Sequence, residues 1–231
     1  MEIKLLEHTK LSNIVIGART CYDSFHKGGN YDTPTDDITE VDKSLIDTLI
    51  NTLSHKSVSE HCIYVFNIKG ISRLCLQELA RHRLASYSVK STRYTLSQLA
   101  KDEHFSITET GMANKQNLQR ATKYINLTGN ELVDSCAVSS LSNLQVALKD
   151  GIKNDIAKYC LPECWKVDLV WTINMRSLMN FLELRLSNSA HFEIRELAKN
   201  ILNTLPKEHR FLYSKYIDKT TKLQKVFAQH K

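Results

Sequence analysis

Residues 81–94 read Arg81-His82-Arg83-Leu84-Ala85-Ser86-Tyr87-Ser88-Val89-Lys90-Ser91-Thr92-Arg93-Tyr94. These fourteen positions hold four Lys or Arg, one His, three Ser, one Thr and two Tyr. An arginine presents a planar fork that grips a phosphate through paired hydrogen bonds. Hydroxyls and the backbone N–H groups of an irregular segment add neutral donors, and two tyrosines can flank an aromatic ring. That inventory suits a phosphorylated heterocycle. On composition alone it also fits a solvated basic helix end, where cations are favourable by about 0.3–1 kcal/mol. A third option is a nucleic-acid-binding module that uses the cluster together with a basic tail.

Working outward, Ile71, Leu74, Cys75 and Leu79 recur at helical spacing and predict a helix ending near Arg83. Gly70 punctuates, and Ile63 to Ile68 is dense in branched and aromatic residues, the pattern of a strand. Ile3 and Leu5 alternate with polar residues as a short strand. Thr39-Glu40-Val41-Asp42 predicts a capping box for a helix carrying Leu45, Ile46, Leu49, Ile50 and Leu53. Residues 26–37 read as loop. Downstream, 113–149 predicts two helices broken around Thr128-Gly129-Asn130, and 152–160 a shorter one. Leu169 to Ile173 reads as buried strand, and Met175 to Leu184 and Phe192 to Leu205 as helices. The result is an α/β (α+β) chain dominated by helices with few strands. Neither a Gly-x-Gly-x-x-Gly turn nor a P-loop is present, so no Rossmann unit is expected and side-chain cations must hold any phosphate.

The 231 residues are 42% hydrophobic and 24% charged with a net charge of +6, values that exclude wholesale disorder and favour anionic partners. The length predicts one domain spanning 1–231, with a basic, helical C-terminal tail over about 206–231. No apolar run approaches the ~18–20 residues of a membrane helix. The N-terminus lacks a signal-peptide core, so a cytoplasmic location and no membrane partner are expected. The six cysteines include no metal-type pair with a two-residue gap. They are expected to be reduced and mostly buried, with no metal site.

Arg81-His82-Arg83, followed after seven residues by Ser91 and then Arg93-Tyr94, resembles the signature of the flavin-dependent thymidylate synthases. His55-Lys56-Ser57-Val58-Ser59-Glu60-His61 resembles that family's His-x-Ser/Thr-x-x-Glu-His segment. The run from Trp171 to Arg185 resembles its Asn-x-Arg-Ser-x-x-Asn-Phe-x-x-x-Arg block. The matches span roughly residues 55–196; 20–40, 100–130 and the tail match nothing recognisable. There are departures. Ser88-Val89 stands where many members carry Asn-Glu, Lys158 where Arg is common, and Glu78 where Gln is common.

The resemblance implies helices packed around a small, mainly antiparallel sheet. It implies an enzyme that methylates dUMP to dTMP, with 5,10-methylenetetrahydrofolate as carbon donor and FAD, reduced by NADPH, as hydride source. A homotetramer with sites shared between subunits, and no nucleic-acid partner, follow from the same source. Residue by residue, it assigns His55, Ser57, Arg81, His82, Arg83, Asn174, Arg176 and Asn180 to FAD. It assigns Gln77, Glu78, Arg81, Lys90, Ser91, Thr92, Arg93, Lys158 and Arg185 to dUMP. Arg185 is the expected catalytic group, its guanidinium stabilising the uracil anion formed on loss of the ring N–H proton. Ser91 is the other candidate, expected to position substrate because no His–Asp pair is there to activate it. Asn174 is also placed to cap the following helix. Asn180 and Arg185, five residues apart, are separated by ~140° on a helix. They are expected to face different ligands or subunits unless the helix stops first.

Overall fold

The structure, a computed structural model, describes residues 1–218, and of Tyr94 and Thr95 the backbone alone. The elements run β1 (Glu2–His8), α1 (Leu11–Cys21), α2 (Glu40–Asp47), β2 (Ile63–Ser72), α3 (Arg73–Ala80), β3 (Ala85–Val89) and α4 (Thr92–Thr95). They continue with α5 (Ser97–Lys101), α6 (Lys115–Ala121), α7 (Glu131–Lys149), α8 (Asn154–Ala157), β4 (Lys166–Asn174), α9 (Met175–Arg185) and α10 (Phe192–Thr204). The strands form one antiparallel sheet in the order β1-β2-β4-β3. The mixed class and the absence of a Rossmann unit among the described residues agree with the sequence.

The two inner strands position the site. β2 passes into α3, and β4 into α9, with no residue between. The Met175 N–H at the start of α9 donates to Cys62 O at 2.7 Å, and the Arg73 N–H at the start of α3 donates to Trp165 O at 3.0 Å. Asn174 caps α9, its side-chain oxygen accepting from Ser177 N at 2.8 Å. β4 alternates strictly, burying Val167, Leu169, Trp171 and Ile173.

The chain divides into two compact units. One comprises Met1, Lys69–Glu78 and Ser88–Leu169; the other comprises Glu2–Ile68, Leu79–Tyr87 and the chain from Val170 onward. In the first, α7 buries Val138, Leu141 and Leu144. The Gln145 amide, fully buried, accepts from Phe105 N at 2.8 Å and donates to Leu99 O at 3.0 Å, anchoring a stretch that would otherwise leave its backbone unpaired. In the second, α9 and α10 bury Leu178, Met179, Phe181, Leu182, Ile194, Leu197, Ile201 and Leu202. Rings follow one another through this core, with centroid separations of 6.0 Å for Tyr64–Phe66, 5.9 Å for Phe66–Trp171 and 5.2 Å for Trp171–Phe181.

Two carboxylates, Asp42 buried and Asp36 half-buried, organise the second unit. Asp42 takes Arg19 through Nη2 at 2.6 Å and Nε at 3.1 Å, the Tyr31 hydroxyl at 2.7 Å and Gly29 N at 3.1 Å. Asp36 accepts from His209 Nε2 at 2.9 Å, His8 Nε2 at 3.0 Å, Lys10 Nζ at 3.0 Å and Leu11 N at 2.9 Å. Burial works to raise the Asp36 pKa, but the bonds from His209, His8 and Lys10 outweigh it and hold the carboxyl well below its usual range. Burial holds the His209 imidazole below its ordinary value, against the pull of Asp36, so it stays neutral.

Several expectations need correction. Gly70 does not end a strand; with φ +73° it lies inside β2. Buried positions shift there from 64, 66 and 68 to 71, a break in the alternation at the glycine, whose N–H donates to Asp168 Oδ1 at 3.0 Å. Ile71 is therefore strand, not helix, and α3 stops at Ala80, before the basic cluster. β3 runs through residues read as loop. Helix α2 gives way to a π turn over Thr48–Thr52, and Leu53 after it is exposed, although the Thr39 cap on Asp42 N is present. All six cysteines are free, but only Cys62 and Cys75 are buried; Cys21, Cys136 and Cys160 lie on outer faces of helical segments. The described part of the tail read from about 206 is packed. Lys207–Tyr213 forms a 3-10 turn that buries His209, Leu212 and Tyr213, and Tyr216 is buried beyond it. Leu223 and Phe227, which made the tail amphipathic in sequence, lie outside the described residues.

Candidate active site

Two clusters of predicted site residues form, one in each unit. In the second unit a cleft of about 900 Å³ is lined by Arg81, His82, Arg83, Arg176, Asn180 and Arg185, with Lys56, Glu60 and Glu183 at its walls. Five Lys or Arg side chains face it against two carboxylates, an excess of positive charge at a volume typical of small-molecule sites. Because α3 ends at Ala80, the three residues Arg81, His82 and Arg83 leave helical geometry and point independently. Arg81 and Arg83 are exposed, while the His82 ring turns inward.

His82 is fixed on several sides. Its N–H donates to Leu79 O at 3.1 Å, and its carbonyl accepts the Tyr87 hydroxyl at 2.7 Å. Its ring meets Phe181 edge-on at 5.0 Å. Arg185 Nε donates to His82 Nε2 at 3.1 Å. Acceptance at Nε2 requires the neutral imidazole with its proton on Nδ1.

On α9, Arg176 and Asn180 are one turn apart on the exposed face, and Arg176 Nη1 pairs with Glu60 Oε1 at 2.6 Å. The helix continues through Arg185, and Asn180 and Arg185 line the same cleft. The structure does not bring His55 and Ser57 into this lining. His55 Nδ1 is bonded to the Tyr22 hydroxyl at 3.1 Å, and both residues are exposed. Their neighbours Lys56 and Glu60, from the same 3-10 turn, line it instead. Asn174 is committed to its helix cap.

In the first unit, Ser91 caps α4, its Oγ accepting from Arg93 N at 3.3 Å. Arg93 grips Asp155 with both forks, Nε–Oδ1 at 2.8 Å and Nη2–Oδ2 at 2.6 Å, and Lys158 Nζ reaches Asp155 Oδ1 at 3.3 Å. Asn154 Nδ2 donates to Arg93 O at 2.6 Å. Two cations thus share one carboxylate, leaving a net positive pair held in a fixed arrangement. The bond from Arg93 keeps the Asp155 carboxyl below its ordinary pKa, and the same bond raises that of Arg93. Lys90 Nζ lies 3.3 Å from Asp168 Oδ2. Gln77 Nε2 donates to both oxygens of Glu163, at 3.0 and 2.9 Å. Glu78 is half-buried on α3, and Thr92 opens α4.

The residues missed from sequence are the carboxylates that hold the site side chains: Asp155, Asp168 and Glu60 pair with cations, and Glu163 accepts from the neutral Gln77 amide. Asp155 carries a signal, three residues before Lys158 on a helical segment. Glu60 lies in the quoted His55–His61 segment. Asp168 and Glu163 carry none. An anionic dinucleotide fits the first cleft, whose cations outnumber its acids, and a phosphate fits the Arg93–Lys158 pair.

Residues 4–209 match the family model described as thymidylate synthase complementing protein. The flavin-dependent thymidylate synthase of Wolinella succinogenes is 47% identical over 215 residues, covering 92% of this chain and 97% of its own. That of Helicobacter pylori strain 26695 is 44% identical over 214 residues, again 92% and 97%. The crystal structure of thymidylate synthase X from Helicobacter pylori with FAD and dUMP superposes with a TM-score of 0.83 at 43% identity, covering 94% of this chain and 99% of that one. With a family match over most of its length and near-full-length relatives at this identity, the chain belongs to the flavin-dependent thymidylate synthases.

Proposed function

We propose that the chain converts dUMP to dTMP as one enzymatic domain, working as a cytoplasmic homotetramer with 5,10-methylenetetrahydrofolate and NADPH as co-substrates. No helix among the described residues is long and apolar enough to cross a membrane. The observation that carries the proposal is the guanidinium of Arg185, fixed by His82 in a cleft rich in cations.

Arg81, Arg83, Arg176 and Asn180 would hold FAD there, which when bound supplies the hydride. Arg93 and Lys158 would take the dUMP phosphate, with Ser91, Thr92 and Lys90 orienting it and Gln77 and Glu78 beside it. The family resemblance implies sites shared between subunits of the assembly. Arg185 would stabilise the uracil anion left when the ring N–H proton departs, an electrostatic gain of about 2.7–4 kcal/mol for a well-aimed donor.

The test is dTMP formation by the purified, flavin-loaded protein with dUMP, methylenetetrahydrofolate and NADPH. Arg185→Ala is expected to lower the rate by about 10²–10³-fold. No dTMP from the wild type, or full activity in the variant, would overturn the assignment. Light scattering tests the tetramer independently.

A further inference from the structure

The geometry points to His82 as the positioning residue for Arg185, acting through its ring nitrogen rather than as a flavin ligand. This rests on the role of Arg185 proposed above. Three features carry it. The His82 ring is buried, unlike its exposed neighbours Arg81 and Arg83, so its imidazole is turned inward. The ring has little freedom, because the backbone is bonded at both N and O and the imidazole is wedged against Phe181, itself packed on Trp171. The bond it accepts comes from Arg185 Nε, at 3.1 Å.

The choice of acceptor matters chemically. Arg93 and Arg176 are held by carboxylates, Asp155 and Glu60, which set direction but place a negative charge against the cation. A neutral imidazole sets direction without adding one. A guanidinium meant to stabilise a developing anion keeps more of its field when it is oriented this way. The aromatic row then has a purpose beyond filling the core: it transmits the rigidity of β4 and α9 to one side-chain nitrogen.

The test compares His82→Gln, His82→Asn and His82→Leu in the flavin-loaded enzyme. A Gln carbonyl reaches the position of Nε2, an Asn carbonyl falls short, and Leu offers no acceptor. A misplacement of ~1 Å costs up to about 100-fold. The Asn and Leu variants are therefore expected to lose about that much in kcat, with FAD affinity in an absorbance titration changed less than about threefold and Gln close to wild type. Combining His82→Leu with Arg185→Ala should be no slower than Arg185→Ala alone, since residues acting as one unit are not additive.

Loss of flavin with unchanged kcat in the residual holoenzyme would make the ring a flavin ligand instead and overturn the inference. So would an additive double variant. If the wild type formed no dTMP, the function would fall, while crystal structures of the Gln and Asn variants would still decide the contact. An Arg185 guanidinium held in place in Gln and displaced in Asn supports positioning, and one that stays put in both refutes it.

Discussion

Replacing Asp36 by alanine strips one acceptor from the meeting point of β1, the 26–37 loop and the 3-10 turn at Lys207–Tyr213. Two buried donors lose it at once: His209 Nε2, fully buried, and Leu11 N. Each buried group left unsatisfied costs about 1–3 kcal/mol, so about 2–6 kcal/mol together. His8 and Lys10 are more exposed and add little. At this chain length 1 kcal/mol moves Tm by about 2–4 °C, so a fall of roughly 5–20 °C is expected in a thermal melt at pH 7. The pH dependence sharpens the test. The Asp36 carboxyl is depressed in the folded state. Its contribution is therefore complete above the unfolded carboxylate value of about 3.9 and declines by about 1.4 kcal/mol per pH unit below it. The Tm gap between wild type and Asp36→Ala should not narrow from pH 7 to 5, because Asp36 also supports the His209 pKa in the wild type, and should shrink from pH 4 to 3. His209 adds its own dependence. Its folded value lies below 6.5, so the unfolded chain binds that proton first and wild-type stability falls as pH drops through about 6.5. A variant melting within about 1 °C of wild type, or a gap unchanged down to pH 3, would refute the assignment of Asp36 as the hub.

Arg93→Lys and Asp155→Ala should each raise KM for dUMP by about tenfold with kcat little changed, because one removes the bidentate fork and the other its support; initial rates against dUMP concentration check both. Gly70→Ala should lower stability by about 1–2 kcal/mol by urea titration, through the left-handed backbone alone. A Cβ there would meet nothing closer than Met1 N at 3.8 Å, so a loss far beyond that range would point to a different cause.

The helical faces were legible because apolar spacing records burial directly: α9 and α10 fall where 3.6-residue recurrence placed them, and the apolar, branched run Leu169 to Ile173 lies inside β4. The cationic members of the site were legible because their order in 81–93 and 174–185 is distinctive. What stayed hidden is what sequence distance conceals. Asp36 and His209 stand 173 positions apart, and nothing local marks them as partners. The carboxylates behind Gln77 and Lys90 are likewise supplied from far along the chain. The inward turn of His82 depends on α3 ending at Ala80. Periodicity extended that helix to Arg83, since nothing in the apolar spacing marks the stop. Gly70 misled for a related reason: a positive φ can close a strand or kink it, and only the neighbouring strand decides which.

The absence of any linker between β2 and α3, or between β4 and α9, has a consequence for how this chain can vary. One added or deleted residue at the β4–α9 seam would turn the helix by ~100° and swing Arg176 and Asn180 off their face. Changes in length are thus tolerable only where no such seam exists, as in the stretch between α5 and α6, while the two seams admit substitution alone.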